Sequence, residues 1–127
     1  MFSIVSINAQ DLKFWNPVIE AIAKVESDRN PKAVSPSGAY IGYLQISKTV
    51  VDDVNEYLGK KVYTYKDRFD IEKSKEMFVY IQRRYNPEKN VEKAIRIWQG
   101  GCGGWKRKAA LAYYKRVSKN LYLTAYN

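Results

Sequence analysis

Apolar residues recur at helical spacing in five segments of the chain, and each segment predicts an amphipathic α-helix. The first helix is expected to begin at Asn16 and Pro17, because Asn is a favourable N-cap and proline suits the first helical position. Gly59 and the pair Asn86-Pro87 are stop signals for the second and third helices. The five predicted helices cover residues 16–27, 47–58, 71–85, 91–98 and 105–121.

The segments between these helices are predicted to be loops. Residues 28–45 contain two prolines and two glycines, which rule out a helix through most of the segment. Within it, "AYIGYLQI" at 39–46 is either a short extended piece or a further helical turn. The stretch "KVYTYK" at 61–66 alternates weakly like a strand but is predicted to be a loop, and "GGCGG" at 100–104 is predicted to be a flexible connector. The chain is therefore predicted to be mainly α-helical, with a single domain spanning residues 1–127.

Glu26 lies on the apolar face of the first predicted helix. At about 100° per residue it shares the angular position of Ile19 and Ile22. Burial of an unpaired carboxylate is unfavourable, so we expect a raised pKa and a proton retained near neutral pH. A general acid needs this property. The alternative is that Glu26 lies just past the packed part of the helix and is solvated, or caps a neighbouring backbone group.

Composition narrows the chemistry that the chain can perform. The 127 residues include no histidine, which excludes His-based triads and His-ligated metals. A single cysteine, Cys102, excludes an internal disulfide and a multi-cysteine zinc site, and it has no histidine to activate it as a nucleophile. We therefore expect no metal and no cofactor, and an enzyme that works with carboxylates, tyrosines and amides.

The net charge of +9 favours anionic partners, which include nucleic acid, anionic membranes and anionic cell-wall polymers. The basic residues form only short clusters and no basic arm. Eleven tyrosines and three tryptophans suit a protein that covers a polar, ring-shaped ligand. The apolar run near the N-terminus is interrupted by Ser3, Ser6 and Asn8 and lacks a basic start, so we expect no signal peptide and no transmembrane segment.

Residues 26–46 carry a sequence pattern that resembles the catalytic segment of the soluble lytic transglycosylases, which are related to goose-type lysozyme. The family pattern has a helix ending in Glu-Ser, then Asn-Pro-x-Ala, Ser-x-x-Gly-Ala-x-Gly and Gly-x-x-Gln. The matching stretches in this chain are "ES" at 26–27, "NPKA" at 30–33, "SPSGAYIG" at 35–42 and "GYLQ" at 42–45. Further on, "IWQGG" at 97–101 is similar to the family's Ala-Tyr-Asn-x-Gly, with Trp98 in place of Tyr and Gln99 in place of Asn.

The resemblance implies a lysozyme-like fold, with five or more helices around a cleft that binds the glycan strand of peptidoglycan. It also implies cleavage of the β-1,4 bond between N-acetylmuramic acid and N-acetylglucosamine. Glu26 matches the family's single catalytic acid/base, which protonates the leaving oxygen and then accepts a proton from the muramic acid 6-hydroxyl. That step closes a 1,6-anhydro ring without water. The site of action would be the bacterial cell wall, in the periplasm or outside the cell.

The resemblance also implies roles for residues around Glu26. Ser27 would hold the Glu26 carboxyl or the neighbouring turn, and Gln45 would donate its amide to the sugar. Tyr113, four residues before Val117, would hydrogen-bond near Glu26, with Tyr114 as a competing neighbour. The remaining expected substrate-binding residues are two loop serines, one amide and three aromatic rings that could stack on sugar faces, namely Ser35, Ser37, Gln99, Tyr40, Tyr43 and Trp98.

Several alternatives stay open at the level of sequence. A lysozyme-type hydrolase would need a second carboxylate or a water-positioning aspartate. Asp28, Asp52, Asp53, Asp67 and Asp70 are the candidates. A non-catalytic peptidoglycan-binding module of a phage or secretion apparatus is a further reading. The hypothesis of a nucleic-acid binder rests on charge alone, so we expect no nucleic-acid partner. We also expect a monomer that does not insert into membranes. Its delivery to the wall would be by a phage or by secretion or conjugation machinery.

Overall fold

A computed structural model of the chain describes residues 7–121 and consists mainly of α-helices, as the hydrophobic pattern predicts. A 3₁₀ helix, Tyr65–Phe69, precedes the third α-helix. The α-helices are α1 (Ala9–Ser27), α2 (Lys48–Leu58), α3 (Ile71–Tyr85), α4 (Val91–Gly104) and α5 (Lys108–Leu121). None of the described helices is both long and apolar enough to cross a bilayer. The expectation about a signal peptide concerns residues 1–6, which lie outside the described residues.

Helix α1 begins two turns earlier than the sequence predicts. Its N-cap is Asn8, whose side-chain oxygen accepts a hydrogen bond of 2.8 Å from the Asp11 backbone N–H. The predicted start at Asn16 and Pro17 is wrong, since Pro17 lies inside the helix. Trp15 is buried, and its ring makes an edge contact of 5.7 Å with Phe78. This tertiary packing extends the helix through a position that local preference assigns to its first turn.

Helix α1 is the centre of the core, because it packs against α3, α4 and α5. Phe78 on α3 links two tryptophans, with ring centroids 5.7 Å from Trp15 and 4.9 Å from Trp98. The α1 residues facing the other helices are almost completely buried, namely Val18, Ile19, Ile22 and Ala23. Apolar packing therefore fixes where the C-terminal turn of α1, with Glu26, meets α5.

Helix α4 continues through most of the predicted "GGCGG" connector, so that prediction is wrong in part. The helix is kinked at Gly101, which has φ 74° and ψ 177°. A side chain on Gly100 would approach the Trp105 backbone nitrogen to 3.0 Å, so glycine permits the tight turn there. Trp105 is the C-cap of α4 and so belongs to the turn between the helices. For this reason α5 begins at Lys108 and not at the predicted residue 105.

The long loop after α1 folds back on itself through antiparallel bridges. Ile41 pairs with both Val34 and Ile46, so the short extended piece is the correct alternative for residues 39–46. The Gly42 N–H donates to the Ala33 carbonyl at 2.7 Å. The region predicted as a loop at 61–66 is irregular over 61–64 and enters the 3₁₀ helix at Tyr65.

Substitution of Gly42 by alanine tests how this loop is held. Gly42 has φ +84°, and an added Cβ would lie 1.9 Å from the Arg68 carbonyl oxygen. We expect Gly42→Ala to lower the free energy of unfolding by about 3 kcal/mol, because backbone strain and a backbone clash add together. Chemical denaturation measures the loss.

Gly38→Ala is the matched control. Gly38 has a similar φ of +78° but no heavy atom within 4 Å of the added Cβ, so only backbone strain, about 1 kcal/mol, is expected. Equal losses for the two variants would show that the Arg68 carbonyl does not confine Gly42.

Candidate active site

Glu26 occupies the last turn of α1, one residue before the helix ends at Ser27. The chain leaves the helix through Asp28 in the left-handed region, with φ 53°. The Asp28 and Arg29 backbone N–H groups donate to the carbonyls of Lys24 and Ala23. Glu26 itself is half-buried, which places its carboxylate between the apolar core and an open groove.

Tyr113 on α5 donates a hydrogen bond of 2.8 Å from its hydroxyl to Glu26 Oε2. Burial raises the pKa of Glu26, while the Tyr113 hydrogen bond and the nearby charge of Arg116 act to lower it. Burial has the largest effect, so the pKa lies above its ordinary value. Burial and the Glu26 charge raise the pKa of Tyr113 well above 10.0, so Tyr113 remains a donor across the working pH range.

The groove beside Glu26 consists of two adjoining cavities. The first, about 410 Å³, holds Glu26, Tyr113 and Arg116 on one wall. The second, about 340 Å³, extends along α2, α3 and the end of α4. Both are lined by Tyr40, Gln45, Trp98 and Gln99, so they form one continuous groove of the size that binds extended ligands.

The aromatic residues shared by the two cavities differ in how firmly they are held. Trp98 donates its ring N–H to the Leu44 carbonyl at 3.1 Å and packs against Phe78 at 4.9 Å. Tyr40 lies in the loop with half of its surface exposed. Trp98 is therefore a fixed wall of the groove, whereas Tyr40 offers an open ring face. Gln99, next to Trp98, is exposed.

Gln45 is held in an unusual conformation that orients its amide. Its φ is +52°, a left-handed value that is strained for a non-glycine residue. The side-chain NH₂ donates to the carbonyls of Gly42 at 3.0 Å and Ala33 at 3.3 Å. The expected donation to a sugar therefore needs revision, because the NH₂ group serves the loop. Within residues 7–121 the Oε1 atom accepts no hydrogen bond, so it is the atom of the amide that is left to accept one from a ligand.

The three predicted serines order the loop and do not line the groove. The Ser27 hydroxyl donates to the Tyr43 carbonyl at 2.7 Å and accepts from the Asn30 N–H at 3.1 Å, so it holds the turn and not the Glu26 carboxyl. Ser35 and Ser37 lie 3.3 Å apart and accept from the N–H groups of Tyr40 and Ala39. Their hydroxyls set the loop that presents the Tyr40 ring.

Tyr43 is a further predicted site residue that does not line the groove. Its side chain is 6% exposed, and its hydroxyl donates to Glu20 at 2.7 Å. Burial and this carboxylate raise the pKa of Tyr43 to about 12. A ring packed in the core has no free face for a sugar, so Tyr43 is a structural residue.

Arg116 is a member of the site that the sequence reading missed. It lines the cavity with Glu26, and its guanidinium lies 5.6 Å from the centre of the Tyr113 ring. Arg116 is three residues after Tyr113 on α5, and residues at that spacing are neighbours on a helix surface. The spacing from Tyr113 could have identified Arg116 from the sequence. It did not stand out because Arg116 is one of 22 lysines and arginines in the chain.

Comparison with known proteins gives one informative result. A family model described as Transglycosylase SLT domain matches residues 3–127. Searches of curated proteins and of solved structures gave no significant match. The matched range covers nearly the whole chain, and the mainly helical architecture is the one expected for a lysozyme-like fold. The chain therefore belongs to the transglycosylase SLT domain family, the soluble lytic transglycosylases of the lysozyme-like superfamily.

Proposed function

We propose that this protein cleaves the β-1,4 bond between N-acetylmuramic acid and N-acetylglucosamine in peptidoglycan and leaves 1,6-anhydro-muramic acid ends. Membership of the family supports a lytic transglycosylase type of activity on peptidoglycan, and hence action in the periplasm or outside the cell. The observation that carries the finer proposal is Glu26, a half-buried carboxyl with a raised pKa at the wall of an open groove.

In the first step Glu26 acts as a general acid. The raised pKa increases the share of the carboxyl that carries a proton at a given pH, and the proton passes to the glycosidic oxygen as the bond to C1 of muramic acid breaks. The leaving sugar departs with that proton. Positive charge develops at C1, and Glu26 is left as a carboxylate.

In the second step the same carboxylate acts as a general base. It accepts the proton of the muramic acid 6-hydroxyl while O6 bonds to C1, which closes the anhydro ring and restores the protonated acid. Between the two steps the anion is stabilised by the Tyr113 hydroxyl at 2.8 Å and by the positive charge of Arg116. The reaction consumes no water, and one carboxyl group performs both proton transfers.

The groove residues supply sugar binding around this carboxyl. Tyr40 and Trp98 present aromatic rings to the faces of pyranose units. Gln45 Oε1 accepts a hydrogen bond from a sugar hydroxyl or an N-acetyl N–H, because its NH₂ group is bound to loop carbonyls. Gln99 adds a second amide on the same wall.

The five aspartates that could support a two-carboxylate hydrolase have other partners. Asp28 pairs with Lys24, Asp53 with Arg84 and Tyr85, and Asp52 accepts from Tyr65. Asp67 bonds to the Thr64 N–H and to Lys73, and Asp70 caps α3. Glu26 is the one carboxylate among the described residues that line its cavity. These partners favour a mechanism with a single acid over one with a pair of carboxylates.

Replacement of Glu26 by glutamine should abolish this chemistry. Glutamine keeps the shape and can still accept from Tyr113, but it cannot exchange a proton, so we expect digestion of purified sacculi to fall by about 10²–10⁴-fold. Release of soluble fragments measures the rate. Glu72→Gln, at an exposed carboxylate in the first turn of α3, is the control and should digest at the normal rate.

Mass spectrometry of the fragments separates the two possible outcomes of cleavage. Anhydro-muropeptides without a reducing end are expected. Reducing muropeptides would identify a lysozyme-type hydrolase, and undiminished digestion by the Glu26→Gln variant would exclude both mechanisms.

Replacement of Tyr113 by phenylalanine should move the pH profile of kcat/KM. The hydroxyl stabilises the Glu26 anion, so its removal raises the pKa of Glu26 further. The alkaline limb, which reports loss of the acid proton, should therefore shift to higher pH, and kcat should fall because the carboxylate intermediate loses a donor. Tyr114→Phe is the control, and an equal shift of its alkaline limb would contradict the assignment of Tyr113.

A further inference from the structure

The C-terminal quarter of the chain carries positive charge and no negative charge. From Lys93 onward the sequence contains eight lysines and arginines but neither aspartate nor glutamate. Lys93 and Arg96 pair with Glu88 and Glu92 on the preceding segment. No ion pair forms among the described residues for the other six, which are Lys106, Arg107, Lys108, Lys115, Arg116 and Lys119.

Four of these cations form one surface on α5, here named the α5 cation face and defined as Lys108, Lys115, Arg116 and Lys119. The three lysines are exposed and fall within about 40° of one another around the helix. Arg116 lies at the edge of this face nearest to Tyr113. The opposite side of α5 is buried through Ala110, Val117 and Leu121, so the helix presents its charges to solvent.

Exposed lysines without an ion pair also occur elsewhere, for example Lys60, Lys61 and Lys66, but α5 is the one described α-helix that carries no carboxylate of its own. Some cations of the other segments have a carboxylate partner close by. Lys75 pairs with Glu20, Lys73 with Asp67, and Lys89 with Asp11. On α5, by contrast, Lys115 and Lys119 stand four residues apart, a spacing at which like charges repel each other and destabilise a helix. An anion bound from outside the chain would relieve that repulsion.

The α5 cation face continues into the groove. Arg116 belongs both to this face and to the cavity that holds Glu26, so an anion lying along α5 would extend from the position of the cleaved bond. The peptides attached to muramic acid are the part of peptidoglycan that carries carboxylates. Lysine and arginine bind carboxylates through charge-assisted hydrogen bonds, and the planar fork of arginine can bind both oxygens.

We propose that the α5 cation face binds the carboxylates of the peptide stems on the glycan strand in the groove. This inference rests on the proposed function, because it takes peptidoglycan as the ligand. The face would select strands that carry peptides over strands whose peptides have been removed or neutralised, and would hold the strand while Glu26 acts. Long-range attraction also accelerates encounter with an anionic wall.

Binding to purified sacculi tests this proposal in a Glu26→Gln background, where binding is separated from cleavage. The test variant replaces Lys108, Lys115 and Lys119 by glutamine. The control replaces Lys60, Lys61 and Lys66, three exposed lysines outside the groove, and so has the same net charge. We expect the Kd of the test variant to be about tenfold higher than that of the control at low salt, and the difference to shrink as salt rises.

Sacculi whose peptide carboxylates have been converted to neutral amides identify the ligand. On this material the two variants should bind equally, because the anion recognised by the α5 cation face is gone. Equal binding to untreated sacculi, or a tenfold difference that survives amidation, would overturn the proposal. The proposal would also be overturned if the difference in Kd between the two variants disappeared only after phosphate-bearing polymers were extracted from the sacculi. A further contradicting result would be that the control binds duplex DNA as tightly as sacculi while the test variant does not bind DNA.

Thermal unfolding is the check that both triple variants fold, and we expect them to, since glutamine is a good helix former at exposed positions. Failure of this inference is distinguishable from failure of the proposed function. The proposed function is judged from the anhydro-muropeptides released by the chain with Glu26 intact, and the inference from wall binding by the inactive variants.

Discussion

The hydrogen bond between Tyr113 and Glu26 is the interaction on which the rest of the site depends. It joins residues 87 positions apart, at the end of α1 and in the middle of α5. Core packing of α1 buries the carboxyl and raises its pKa, and the Tyr113 hydroxyl together with Arg116 limits that rise. A carboxyl with burial alone would hold its proton too tightly and would not readily form the carboxylate that the second step needs. A partly desolvated carboxyl that accepts a hydrogen bond from one buried donor can both donate a proton in the first step and accept one in the second.

Close backbone contacts hold the loop that faces this acid, so the side chains of the loop have little conformational freedom. Gly42 lies against the Arg68 carbonyl, and the Arg68 guanidinium donates to the Ile46 carbonyl at 3.1 Å. Gln45 sits at a positive φ between these two points. Strain of this kind persists only where the surroundings fix it, and here it holds Gln45 in the wall of the groove with its side-chain NH₂ bonded to loop carbonyls. The 3₁₀ helix thus takes part in the site although it lines neither cavity, whereas α3 lines the second cavity through Ile81 and Tyr85.

The sequence predicted the parts of this arrangement that follow from period and local chemistry. Helical spacing identified five helices, placed Glu26 on an apolar face and, with the family resemblance, singled out Tyr113. It could not predict features set by contacts between distant segments. Burial of Trp15 moves the start of α1, and the close approach of Trp105 to Gly100 lets α4 run through the glycines. The burial of Tyr43, the orientation of the Gln45 amide and the role of Arg116 all depend on neighbours that only the folded chain supplies.

The most direct test of this account is the titration of the Glu26 carboxyl in the free protein, followed by ¹³C NMR of its side-chain carboxyl carbon, with the Glu26→Gln variant used for assignment. The account predicts a midpoint above the ordinary value of 4.5, because burial outweighs the hydrogen bond and the nearby charge. It also predicts a further rise in the Tyr113→Phe variant. A midpoint at or below 4.5, or one that does not move when the Tyr113 hydroxyl is removed, would contradict it.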